Sequence, residues 1–123
     1  MYQIIVKQDF DAAHFLRGYQ GKCEMLHGHR FQVVVRVAAC ETDNVGISCD
    51  FKVLKQHLHN VLSRFDHTCL NEVAPFDKIN PSSENIAKVI YNEMEPLLTG
   101  NTVRLSSVEV WESPGSGVVY HPD

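Results

Sequence analysis

With 123 residues, 44% of them hydrophobic and 21% charged, the chain is long enough to bury one core and too short for two. A formal charge of −4 without a long basic run argues against a nucleic-acid partner, although a local group of Arg and Lys can still meet a phosphorylated ligand. No apolar run approaches the roughly 18 residues of a membrane span, and the opening MYQIIVKQDF carries charges where a secretion signal needs an apolar stretch, so the expected address is cytoplasmic, with no membrane partner.

Residues 2–14 alternate, with Tyr2, Ile4, Val6, Phe10 and Ala12 on one parity and Gln3, Lys7, Asp9 and Asp11 on the other, which predicts a half-buried strand. Residues 29–40 repeat the pattern, Phe31, Val33, Val35, Val37 and Ala39 opposing Arg30, Gln32 and Arg36. Asp50 is placed to cap a helix whose apolar residues Phe51, Leu54, Leu58, Val61, Leu62 and Phe65 recur at helical spacing. A second helix is expected from Asn80-Pro81, with proline in the first turn where its missing N–H is harmless, through Ile86, Val89, Ile90 and Met94 to about Pro96. Residues 103–112 and 117–121 read as a closing strand pair around Ser113-Pro114-Gly115-Ser116-Gly117. The order ββααββ over a single domain, 1–123, predicts an α+β fold: an antiparallel sheet with two helices on one face. Four strands leave open sheet edges, which predicts an oligomer.

Parity also locates chemistry. His14 continues the apolar face of the first strand, and His27 and His29 continue that of the second. If these strands pair, three imidazoles converge, which is the usual catalytic zinc arrangement with an open fourth position. Gly28 lets the backbone bend toward the metal. His57 and His59, two apart on the first helix, do not share a face. Cys23, four residues before His27, is either a fourth ligand closing a structural site or a free thiolate acting as base beside the metal. Cys40, Cys49 and Cys69 form no CxxC pair and are expected as free thiols. Glu112 shares parity with Val108 and Val110, and a carboxylate on a buried face is expensive without a donor, which favours a functional role. Read without further context, Asp66 and His67 are a helix-end cap, and Ser82, Ser83 and Glu84 serve helix capping as readily as substrate contact.

FDAAH at 10–14, CEMLHGH at 23–29, DF at 50–51, FDHTCLN at 65–71, NPSSEN at 80–85 and VEVWE at 108–112 resemble, in order, the 6-pyruvoyl-tetrahydropterin synthase family, which includes the 6-carboxytetrahydropterin synthases of queuosine biosynthesis. The resemblance implies the tunnelling fold (T-fold), assembled as a trimeric barrel and usually a hexamer. It implies a zinc-dependent lyase that converts 7,8-dihydroneopterin triphosphate to 6-carboxy-5,6,7,8-tetrahydropterin, releasing acetaldehyde and triphosphate. On this chain it makes His14, His27 and His29 the zinc ligands, Cys23 the catalytic thiol, Asp66 and His67 a proton relay, and Glu112 the anchor of the pterin ring. Ser82, Ser83 and Glu84 fall where the family has Pro-Thr-x-Glu and contacts substrate. Glu24 departs from the pattern: a family branch that lacks the cysteine carries a glutamate there and resembles a dihydroneopterin aldolase supplying folate precursors. Having both residues, this chain is expected to show a minor aldolase-type reaction with Glu24 as second base. A 6-pyruvoyl product and a non-catalytic, zinc-stabilised pterin-binding module are the other readings.

Overall fold

A computed structural model describes residues 1–21, 24–98 and 102–123. The first alternating stretch folds as β1 (Tyr2–His14), which runs antiparallel to β2 (His27–Ala39) in unbroken register from Tyr2↔Ala39 to His14↔His27. Because side chains alternate with period two, this register puts Val6 opposite Val35 and Phe10 opposite Phe31 on one buried face, the two phenyl rings stacked with centroids 5.0 Å apart.

Asp50 caps α1 (Phe51–Leu62), accepting the Lys52 N–H at 2.8 Å. Leu54, Leu58, Val61 and Leu62 are its buried stripe, whereas Phe51, expected on that stripe, is exposed at the first helical position. The second helix begins later than Asn80-Pro81 suggested. α2 spans Ser83–Met94 with Ser82 as its N-cap, the Ser82 hydroxyl accepting the Asn85 N–H at 3.1 Å. The serine supplies a side-chain acceptor that proline lacks, so Pro81 stays outside the first turn. A 3-10 turn containing Pro96, Glu95–Leu97, follows the helix.

β4 (Val103–Ser113) pairs with β2 and with β5 (Ser116–Tyr120), so the 113–117 turn is tighter than expected. A short strand absent from the expected order, β3 (Thr68–Cys69), lies parallel to β1 at Ala12 and Ala13. Among the described residues the sheet is therefore mixed and five-stranded, β3-β1-β2-β4-β5, in an α+β fold. β4 carries two irregularities, of which the first decides which side chains reach the core. Against β2 the register shifts so that Ser106 is the extra residue, which lets Leu105 and Val108 face the core despite opposite parity. Against β5 the extra residue is Glu112. Both helices cover the core face, where Tyr91 Oη donates to the Leu105 carbonyl at 3.1 Å. The opposite face carries Lys7, Asp9, Arg30, Gln32, Arg36 and Glu109 around a concavity of 540 Å³. No described helix is long and apolar enough to cross a membrane.

Candidate metal centre and active site

The register that buries Phe10 against Phe31 also delivers the histidines. His14 stands directly opposite His27 at the end of the β1–β2 ladder, and His29 lies two residues along the same face. Their rings pack at centroid separations of 4.6, 5.3 and 4.8 Å. His14 Nδ1 is 2.7 Å from the Pro81 carbonyl and His27 Nδ1 is 2.9 Å from the Met25 carbonyl. A carbonyl only accepts, so each Nδ1 carries the proton and each Nε2 presents its lone pair. Burial holds the His14 pKa below the ordinary histidine value, the Pro81 carbonyl opposing this, so the ring is kept neutral as a ligand requires.

Among the described residues, Nε2 of His14 and of His29 are buried without a hydrogen-bond partner. Leaving such atoms unpaired is costly in a folded protein. His29 Nε2 does lie 3.0 Å from Glu112 Oε1, but the two are not aligned as donor and acceptor. One ligand atom from each of His14, His27, His29 and Glu112 falls within 4.8 Å of the others. Three imidazoles whose ring nitrogens converge, plus one carboxylate, fit a zinc ion by donor chemistry. Glu112 follows Val108 and Val110 on the core face of β4 while Glu109, Trp111 and Ser113 take the other, and the Ser83 hydroxyl is 3.5 Å from the carboxylate oxygen turned away from His29.

A second group lies beside the first. Asp66 Oδ1 accepts the Asp11 N–H at 2.9 Å and lies 3.0 Å from His67 Nδ1. The Asp11 amide above all, and His67 after it, hold the Asp66 carboxyl below the usual range, against the pull of burial. His67 takes a left-handed backbone conformation, φ 59°, with its own N–H donating to the Asp11 carbonyl at 2.6 Å. Asp11 in turn pairs with Arg30 Nε at 3.2 Å, across the strand pair that also aligns Ala12 with His29. His67, His29, Gly28 and Arg30 share the wall of one open pocket of 440 Å³, so the Asp66–His67 pair is brought next to the histidine cluster.

Cys23 lies outside the described residues. Glu24 is described: its amide donates to the Leu16 carbonyl at 2.9 Å and its carboxylate accepts the Leu16 N–H at 3.1 Å. Ser82 is occupied as the helix cap, and Glu84 is exposed in the first turn of α2. Residue-by-residue reading overlooked the Pro81 carbonyl, which meets His14, and Asn71, Asn80 and Arg17, which tie the residues after His14 to the Pro81 loop. The two asparagines close FDHTCLN and open NPSSEN, and an asparagine beside a motif was the sequence cue to them.

Fold and site together define a small α+β domain with a candidate three-histidine metal centre at the end of its sheet. The family model of 6-pyruvoyl tetrahydropterin synthase matches residues 3–123. The chain is 36% identical over 118 residues to 6-carboxy-5,6,7,8-tetrahydropterin synthase of Bacillus subtilis, covering 90% of this chain and 79% of that one. It is also 36% identical to the enzyme of that name from Synechocystis, over 98% of this chain and 93% of the relative. The solved 6-pyruvoyl tetrahydropterin synthase of Caenorhabditis elegans superposes with a TM-score of 0.84 at 22% identity, covering 99% of this chain and 96% of that one. The chain belongs to the 6-pyruvoyl tetrahydropterin synthase family, and its fold is the T-fold of those structures.

Proposed function

We propose that the chain is a zinc-dependent lyase that converts 7,8-dihydroneopterin triphosphate to 6-carboxy-5,6,7,8-tetrahydropterin, releasing acetaldehyde and triphosphate, in queuosine biosynthesis. The relatives that carry this name support the product. The observation that carries the site is the pair of buried Nε2 atoms on His14 and His29, unpartnered among the described residues, beside His27 and Glu112.

In this reading His14, His27 and His29 hold the zinc, which when bound acts as a Lewis acid toward the hydroxyls of the substrate side chain. Cys23 is the base that moves the side-chain proton. Asp66, kept ionised by the Asp11 amide, orients the His67 imidazole at the rim of the same pocket, where that ring can exchange protons with substrate and solvent. Glu112, steadied by Ser83, receives the amino and ring N–H donors of the pterin. Ser82 and Glu84 shape the helix start beneath it. The enzyme works as a cytoplasmic homo-oligomer, a trimer or hexamer, which covers the open sheet edges.

Glu24 admits a second reading. Its contact with Leu16 favours a loop-fastening role over that of a second base for an aldolase-type reaction. Mass spectrometry of the products formed from 7,8-dihydroneopterin triphosphate tests both. The 6-carboxy product is expected. A 6-pyruvoyl product, or no turnover by zinc-loaded protein, overturns the assignment, and a 6-hydroxymethyl product that disappears in Glu24→Ala restores Glu24 as a base.

A further inference from the structure

Beyond His14 the first strand ends, yet the backbone N–H and C=O of Phe15, Leu16 and Arg17 all stay paired. Asn71 accepts the Phe15 N–H at 3.0 Å and donates to the Phe15 carbonyl at 2.9 Å. Asn80 does the same at Arg17, at 2.8 and 2.9 Å. A carboxamide has one acceptor and one donor side, so each asparagine satisfies both polar groups of one residue as a neighbouring strand would. The two sites are two residues apart, the spacing of an extended strand.

The loop that supplies these asparagines is itself tied down. The Arg17 guanidinium donates to the carbonyls of Phe76, at 2.7 Å, and of Asn71 and Ile79, both at 3.3 Å. Asn85 Nδ2 donates to the Asn80 carbonyl at 2.8 Å. The residue after Asn80 is Pro81, whose carbonyl receives His14 Nδ1. Segments 14–17 and 71–81 are thereby locked to one another, and the acceptor that sets the His14 tautomer is a backbone atom of the locked loop.

We propose that Asn71 and Asn80 are positioning residues of the metal centre: by gripping Phe15 and Arg17 they hold the Pro81 carbonyl against His14 Nδ1 and aim His14 Nε2 at the metal. The proposal rests on the metal reading above and extends it to residues that touch neither metal nor substrate. Partners that orient a ligating histidine typically contribute 10–100-fold in metal affinity.

The test is zinc affinity by competition with a chromogenic chelator, alongside melting of the metal-free protein and 15N spectra of its imidazoles. Asn80→Ala is expected to bind zinc roughly 10–100-fold more weakly and to lose the Nδ1–H form of His14. Asn80→Asp, which keeps the acceptor and loses the donor, is expected to fall between. Val61→Ala, which trims the buried stripe of α1 and touches none of these hydrogen bonds, is expected to lower the melting temperature without changing zinc affinity. Asn71 is buried, so if Asn71→Ala does not fold, the two half-buried Asn80 variants decide the matter. Folded Asn80→Ala with wild-type zinc affinity and an unchanged His14 ring overturns the proposal. If wild type takes up no zinc, the metal reading falls by itself, and the His14 ring spectra alone then decide the positioning role.

Discussion

His14 Nδ1 lies 2.7 Å from the carbonyl oxygen of Pro81, 67 residues further along the chain, and this contact joins the end of the first strand to the residue before the cap of the second helix. It orients the one fully buried histidine of the His14, His27 and His29 cluster, so the cluster is complete only with α2 docked on the sheet. The short β3 strand works in the same way at the other group, where its pairing with Ala12 and Ala13 brings His67 to the pocket that His29 lines.

Purified protein is expected to hold about one zinc per chain, and His27→Ala or His29→Ala is expected to remove it and abolish turnover. Elemental analysis of desalted protein checks this. Full zinc in His27→Ala would exclude the three-histidine site.

Replacing Cys23 by Ala is expected to lower kcat on the order of 100-fold or more while zinc stays bound, since a base contributes to rate and not to coordination. Parallel activity and metal measurements distinguish the roles. Loss of zinc together with the thiol would make Cys23 a fourth ligand and the site a closed one.

Glu112→Gln is expected to raise KM chiefly, with a loss of roughly 1.5–3 kcal/mol, the worth of a hydrogen bond to a charged group. Because Glu112 Oε1 is 3.0 Å from His29 Nε2, zinc content must be measured on the same sample. A zinc-free variant would assign the carboxylate to the metal instead, and an unchanged KM would place it outside the substrate pocket.

On the opposite sheet face, Glu109 accepts from Arg36 Nε at 2.7 Å and from Trp111 Nε1 at 3.0 Å. Burial pushes its carboxyl up, but Arg36 first and Trp111 next pull it below the ordinary glutamate value. A folded-state pKa below the unfolded one contributes stability that is present above the unfolded value of about 4.3 and is lost as pH falls through the folded value. Glu109→Gln is therefore expected to be less stable than wild type at pH 7, by on the order of 1–2 kcal/mol. Melting curves recorded from pH 7 to pH 3 should show the gap closing below about pH 4. A gap that stays constant across this range would mean the Glu109 charge is not what stabilises the face.

The period-two pattern of 2–14 and 29–40 and the helical spacing after Asp50 carry local information, because a half-buried strand or helix must put its apolar residues on one face. That is why β1, the Asp50 cap and the shared face of His14, His27 and His29 were legible from residue order, and why the motifs from FDAAH to VEVWE pointed to the right family. Local pattern is silent wherever a partner is distant in sequence. Ser106 becomes an extra residue only when β4 is laid against β2, and Glu112, whose face parity already gave, meets His29 only because β4 pairs beside β2. Pro81 reads as a helix start until Ser82 is seen to cap α2, which frees its carbonyl for His14. Asn71 and Asn80 carry no visible role in the sequence, because nothing near them shows that Phe15 and Arg17 need partners. The residue sequence by itself determined which groups could bind a metal. Tertiary structure decided which nitrogens stay free to do so, because a tautomer is set by the hydrogen bond on the other side of the ring, and that partner arrives only when the chain closes on itself.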